Sequence, residues 1–160
     1  MNYNLNFVIP QGATGPTGPS NGLNAYGGKY NNTSSNISLG IGTQSQIPLP
    51  VSLPNLNTTY TPNNSITILQ DGIYEINYYV NLSAAIATTI TLAVRSNGTN
   101  IASTVTSRSL SVGTNSVYNG SVLVNLTANS IIDIAISALI AVGVSLGSGT
   151  TACLTIKKIN

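Results

Sequence analysis

Apolar and polar residues alternate along much of this chain. Over residues 73–82 the even positions are Tyr74, Ile76, Tyr78, Val80 and Leu82, and the odd ones are Ile73, Glu75, Asn77, Tyr79 and Asn81. Successive side chains of a strand point to opposite sides, so period 2 with one apolar side predicts a half-buried β-strand. Residues 130–142 repeat the pattern, with Ile132, Ile134, Ile136, Ala138, Ile140 and Val142 on the even side. Short β-branched segments between Gly, Pro and Asn predict further strands at 37–41, 65–69, 117–127 and 151–159. A hairpin is predicted from 90–96 and 99–105, joined by Asn97-Gly98, because Asn-Gly supplies the positive φ angles of a type I′ turn. Asp71-Gly72 and Gly147-Ser148-Gly149 read as turns. Residues 46–62, with Pro48, Pro50, Pro54 and Pro62, read as an edge strand and loop, since proline cannot donate to a ladder. No long helical periodicity occurs. Roughly eight to ten strands in one domain-sized chain predict an all-β jelly-roll sandwich of two antiparallel sheets.

One core has only two inner faces, yet the odd side of 130–142 still carries Ile131, Ala135 and Leu139. A second semi-apolar face predicts a second partner, most simply another copy of the chain. Scattered surface hydrophobics, normal on monomers, are the alternative.

Ahead of the strands, residues 12–20 form three collagen triplets beginning at Gly12, Gly15 and Gly18, and Asn21 ends the register. Only glycine fits the crowded axis of three polyproline-II chains, so the triplets point to a three-chain stalk. A chance Gly/Pro linker is the bland reading. The domain division is therefore 1–11 as an anchor or flexible lead-in, 12–20 as collagen-like, and 21–160 as the β head.

Composition narrows the function classes. Charged residues make up 5% of the chain, against about 25% in an ordinary domain. The polar surface is instead built from 21 Asn, 19 Thr and 19 Ser. A net charge of +2 without a basic run excludes nucleic acid as a partner. The opening MNYNLNFVIP has no Lys or Arg before its apolar stretch, and is not expected to act as a secretory signal. The longest apolar stretch, 131–146, is interrupted by Asp133, Ser137 and Ser145 and has period 2, so no membrane insertion is expected.

Catalytic chemistry lacks its residues. General acid–base work wants His or paired carboxylates, and the chain offers Asp71, Glu75 and Asp133 with no histidine. Asp71 reads as a turn residue bonding its own backbone. Three scattered acids and one cysteine predict no metal site and no cofactor. Gly27-Gly28-Lys29 resembles the end of a phosphate loop, but its spacing places Leu23 and Tyr30 where that loop needs Gly and Ser or Thr. Cys153 reads as a small buried hydrophobe. Asn-x-Ser/Thr sequons are too common in so Asn-rich a chain to carry weight. Thr14 and Thr17, within the triplets, are the better candidates for O-linked sugar. No enzyme is expected.

The triplets leading into an Asn/Thr/Ser-rich β head, together with the segment ITILQDGIYEINYYV at 66–80, resemble the collagen-like exosporium glycoproteins of spore-forming bacteria, the BclA type. Gly72, Tyr74 and Ile76 match the Gly-x-Tyr-x-aliphatic strand of the tumour-necrosis-factor and complement heads. The resemblance covers about residues 12–160 and implies a homotrimeric jelly-roll head on a spore-surface filament. It implies as partners the chain itself, a filament or basal-layer anchor protein, and a host-surface receptor. Tyr79, Ala135 and Leu139 are the expected residues of the trimer interface. The alternative is the glycan- or receptor-binding head of a phage tail fibre or adhesin. That reading predicts a concave cluster of Tyr26, Tyr30, Tyr60 and Tyr118.

Overall fold

The computed structural model describes Met1 and residues 22–160. The collagen-like glycines Gly12, Gly15 and Gly18, the threonines Thr14 and Thr17, and most of the 1–11 segment lie outside the described residues. Among those described, two antiparallel sheets face each other across one core. Numbered in chain order, the first sheet holds β1 (Tyr26–Asn31), β2 (Ser35–Leu39), β4 (Val51–Ser52), β7 (Gly72–Ala84), β11 (Ser116–Leu126), β13 (Val142–Leu146) and β14 (Ala152–Lys158). The second holds β3 (Gln44–Gln46), β5 (Thr58–Thr59), β6 (Ile66–Ile68), β8 (Thr88–Ser96), β9 (Thr99–Asn100), β10 (Thr106–Leu110) and β12 (Ile131–Ala138).

β7 organises the first sheet. It pairs with β11 along one side and with β14 then β13 along the other, and β14 continues to β1 and β4. Its even residues Tyr74, Ile76, Val80 and Leu82 are fully buried, as the alternation predicts. Two tyrosines reach across the core from this sheet. The Tyr118 hydroxyl donates to the Ile90 carbonyl on β8 at 3.0 Å, and the Tyr78 hydroxyl donates to the Thr104 carbonyl at 3.3 Å. Burial pushes the Tyr118 hydroxyl up to about 12. The family-motif residues sit at the start of β7. Gly72 has φ +153°, a backbone conformation that favours glycine, and a Cβ there would also displace the end of the Lys158 side chain.

Three departures from the sequence reading have physical causes. The stretch 130–142 is not one strand: it breaks after Ala138, and Val142 resumes as β13 in the opposite sheet. Even residues on either side of the break are apolar because both halves face the same core, while Ile140 within it is exposed. The second arm of the 90–105 hairpin is also interrupted. Asn97 and Gly98 take the positive φ angles of a type I′ turn (51° and 79°), but only Thr99 and Asn100 pair before a 3-10 turn at Ala102–Thr104. There the buried Thr104 Oγ1 accepts from the Val94 amide at 2.9 Å, standing in for the missing ladder carbonyl. Finally, β1 goes unnoticed in the sequence because Gly27 and Gly28 erase the alternation. Both glycines are needed for close approach: a Cβ would meet Thr58 Oγ1 at 2.5 Å from Gly27, and Leu53 Cδ1 at 2.7 Å from Gly28.

β1 and β14 lie side by side and antiparallel, with Tyr26 opposite Lys157 and Asn31 opposite Ala152. Gly22, Leu23 and Asn24 share a depression with Lys158, Ile159 and Asn160. The head is therefore entered and left at the same end.

Candidate functional site

The outward side of β11, β7, β14 and β1 can be read from its registers, since directly paired residues of antiparallel strands share a side. Tyr30, Cys153, Tyr79 and Asn119 form one row, followed by Gly28, Thr155, Asn77 and Ser121, then Tyr26, Lys157, Glu75 and Leu123. Aromatic rings and a thiol thus occupy one end of the face. The charges of the third row are closed on themselves: Lys157 Nζ lies 2.8 Å from Glu75 Oε2, and Glu75 Oε1 accepts from Asn77 Nδ2 at 3.1 Å and Ser121 Oγ at 3.3 Å. The Lys157 hydrogen bond, seconded by Asn77, holds the Glu75 carboxyl below its ordinary value.

Two shallow depressions interrupt this face. One, of about 320 Å³, is lined by Leu23, Tyr26, Gly28, Leu53, Pro54 and Thr155. The other, of about 120 Å³, is lined by Asn77, Tyr79, Cys153 and Thr155. At the opposite edge, β11 presents Leu123, 63% exposed, and Val117, 40% exposed. Cys153 accordingly faces outward between Tyr30 and Tyr79 rather than into the core, and partial burial pushes its thiol up.

The structure does not bring Tyr79, Ala135 and Leu139 together. Tyr79 is half-buried on the first sheet. Ala135 lies on β12 in the second sheet and is 1% exposed. It is flanked by Ala93 on β8 and Gln46 on β3 and bordered by a network of polar side chains. Arg95 Nε and Nη2 donate to the Asp133 carboxylate, both at 2.7 Å, Gln46 Nε2 donates to Asp133 Oδ2 at 2.9 Å, and Arg95 Nη1 donates to Gln44 Oε1 at 3.3 Å. Ala135 is thus closed within the chain, which the sequence alone did not reveal, whereas Ile131 on the same side stays half-buried. Leu139, 83% exposed, sits in the connection between β12 and β13.

The four tyrosines expected in a concave cluster are divided by the first sheet. Tyr26 and Tyr30 face outward on β1, whereas Tyr118 is wholly buried. Tyr60 packs against the core, its hydroxyl donating to the Leu53 carbonyl at 2.6 Å and accepting from the Gly28 amide at 3.0 Å. Asp71 bonds the Ala128 amide at 2.6 Å, a tertiary contact rather than its own turn. Among the described residues no group of three His, Cys, Asp or Glu side chains is placed to hold a metal ion, and no helix is long and apolar enough to cross a membrane.

Leu53, Cys153 and Leu123 were missed as face residues, and Tyr26 and Tyr30 were expected only in the tyrosine cluster. The signal was present for the two tyrosines, since Tyr26, Gly28 and Tyr30 alternate with period 2 once β1 is recognised as a strand.

Two facing sheets with this strand order define the jelly roll of the tumour-necrosis-factor and complement heads. The Eiger tumour-necrosis-factor protein of S. frugiperda superimposes with a TM-score of 0.55 at 11% identity, over 86% of this chain and 93% of that one. The globular domain of the zebrafish complement 1qA protein gives 0.54 at 14% identity, over 85% and 98%. The PRD1 vertex protein P5 gives 0.53 at 12%, over 87% and 99%. Among curated proteins, none matches the sequence. The BclA C-terminal domain model matches residues 27–160, and the chain belongs to that family.

Proposed function

We propose that this chain is the homotrimeric head of a collagen-like protein on a bacterial spore surface, a structural cap of the exosporium or of its filaments. The observation that carries the reading is the outward face of the first sheet. It combines Tyr26, Tyr30, Tyr79, Leu53 and Cys153 with a single closed ion pair, the aromatic-rich, charge-poor character of an interface centre. Its two edges differ: a depression at Leu23, Tyr26 and Leu53 on one, and the protruding Leu123 and Val117 on the other. Unlike patches on one sheet favour a head-to-tail contact that closes as a ring. Family membership and the triplets at 12–20, which need three chains, favour three copies.

In this reading the cap is not an enzyme. Three copies cover their aromatic faces against one another and present hydroxyls and carboxamides outward, with few Lys or Arg side chains for proteases to cut at. Anchoring to a basal-layer protein, contact with host surfaces and O-linked sugar on Thr14 and Thr17 belong to the same reading. Intact-mass spectrometry of native material showing no hexose increments on the 12–20 peptide would remove the sugar. The assembly is tested by light scattering of the full chain at micromolar concentration. Three times the chain mass of 16.5 kDa is expected, and a value at the chain mass itself sinks the proposal.

A further inference from the structure

Lys29 presents a charge that no side chain of the protein neutralises. It lies on β1 opposite Ser52 of β4 and Leu154 of β14, and is 5% exposed. Its ammonium donates to Ser52 Oγ at 3.2 Å and stands 5.0 Å from the centre of the Tyr60 ring. An ammonium has three donors, so one hydroxyl and one ring face leave it under-satisfied. Every acidic side chain of the sequence is engaged elsewhere: Asp133 with Arg95 and Gln46, Glu75 with Lys157, and Asp71 with the Ala128 amide. The first 21 residues contain no acid. Within one chain, therefore, no side-chain carboxylate pairs with Lys29. A buried charge is ordinarily paired, because leaving it alone in a poorly hydrated place is costly.

Beside Lys29 is a cavity of about 280 Å³, lined by Lys29, Leu49, Pro50, Asn63 and Asn64. Asn64 is oriented there by its own backbone, held at φ +60°, and by its Oδ1, which accepts from the Leu49 amide at 2.9 Å. That bond uses the acceptor and leaves the Nδ2 donors free. The cavity thus offers a cation and carboxamide donors in a mostly polar lining, with Pro50 at its side. From this geometry we infer that the Lys29 cavity binds a small monocarboxylate, of the size and chemistry of an acidic monosaccharide. One fixed positive charge with neutral amides matches a single negative charge. A dianionic phosphate is better served by several cations or a nest of backbone amides. Desolvation lowers the Lys29 ammonium below its ordinary value, and a bound carboxylate would restore it.

The test is an NMR titration of the full chain, following the Lys29 Nζ and the Asn63 and Asn64 carboxamide signals. The probes are glucuronate, acetate, glucose and inorganic phosphate. Glucuronate is expected to give a saturable shift of all three residues, acetate a weaker one, and glucose none. Lys29→Met keeps the aliphatic stem and is expected to weaken glucuronate binding by at least about tenfold, with the fold intact by circular dichroism. Equal binding by the Met variant, equal binding of glucose, tighter binding of phosphate, or no shift with any carboxylate each overturns the inference. Should the Met variant not fold, Asn64→Ala takes its place: the same loss is expected, and unchanged binding again overturns the inference. Lys29 buried for packing alone predicts no carboxylate response in either protein.

Discussion

The outward faces of the two sheets solve the same problem differently. On the second sheet, Ala93 and Ala135 are closed in by Arg95, Asp133, Gln46 and Gln44, and the neighbouring strands add hydroxyl pairs, Thr91 with Ser107 at 2.8 Å and Thr89 with Ser109 at 3.1 Å. That face is finished by its own side chains. On the first sheet, Tyr26, Tyr30, Tyr79 and Cys153 stay partly exposed beside shallow depressions, and only the third row is sealed by an ion pair. The difference teaches that an apolar residue at an outward position of a strand is not evidence of a partner. What decides is whether long polar side chains on neighbouring strands can reach over it.

The largest expected effect separates the faces by assembly. Tyr79→Arg places a cation in the middle of the unfinished face and should cost about 3 kcal/mol or more per contact, so that light scattering returns the single-chain mass. If the assembly survives, the interface lies elsewhere. Next comes Asp133→Ala, which strips Arg95 of the partner that holds it and should destabilise folding by about 3 kcal/mol. Denaturant unfolding would register this while the assembled mass stays unchanged. A smaller effect follows from pH. Folding lowers the Glu75 pKa, so its contribution is present above the unfolded carboxyl value and is lost as pH falls through the folded one. An NMR titration should place the Glu75 midpoint below that of an unfolded glutamate, and Lys157→Met should move it back up. The smallest effect is at Leu139, exposed in the connection from β12 to β13 and outside the tyrosine rows, where Leu139→Asp should change stability by no more than about 0.5 kcal/mol and leave the assembly intact.

Where alternation is strict, the sequence was legible. β7 and β11 appear where their patterns predict, and so does the type I′ turn at Asn97-Gly98, because one buried face fixes register residue by residue. Legibility fails where tertiary contacts override local pattern. Gly27 and Gly28 hide β1, since their reason is the approach of Thr58 and Leu53 from distant parts of the chain. The break at 139–141 is invisible in phase, because β12 and β13 present the same parity to the same core from opposite sides. Of the site, Tyr79 was legible as an outward aromatic on an otherwise polar row. Ala135 was not, since its cover comes from Gln44, Gln46 and Arg95, all far from it along the chain.

The shared entry and exit of the head gives it a direction. If the strands start from the end where Tyr26 meets Lys157, then the connections at 40–43, 85–87, 111–115 and 139–141 gather at the far pole, tied together by bonds from Gly42 to Ala138, Gly113 to Ala84 and Ala85 to Gly143. None of those four connections contains a charged residue, and Ile41, Val112 and Leu139 protrude from them at 73%, 64% and 83% exposure. Whatever approaches the head along its axis from that side first meets hydroxyls, peptide groups and aliphatic side chains, with no formal charge in these loops to steer it. Encounters at the pole are therefore governed by short-range contact, and their rates should be almost indifferent to ionic strength.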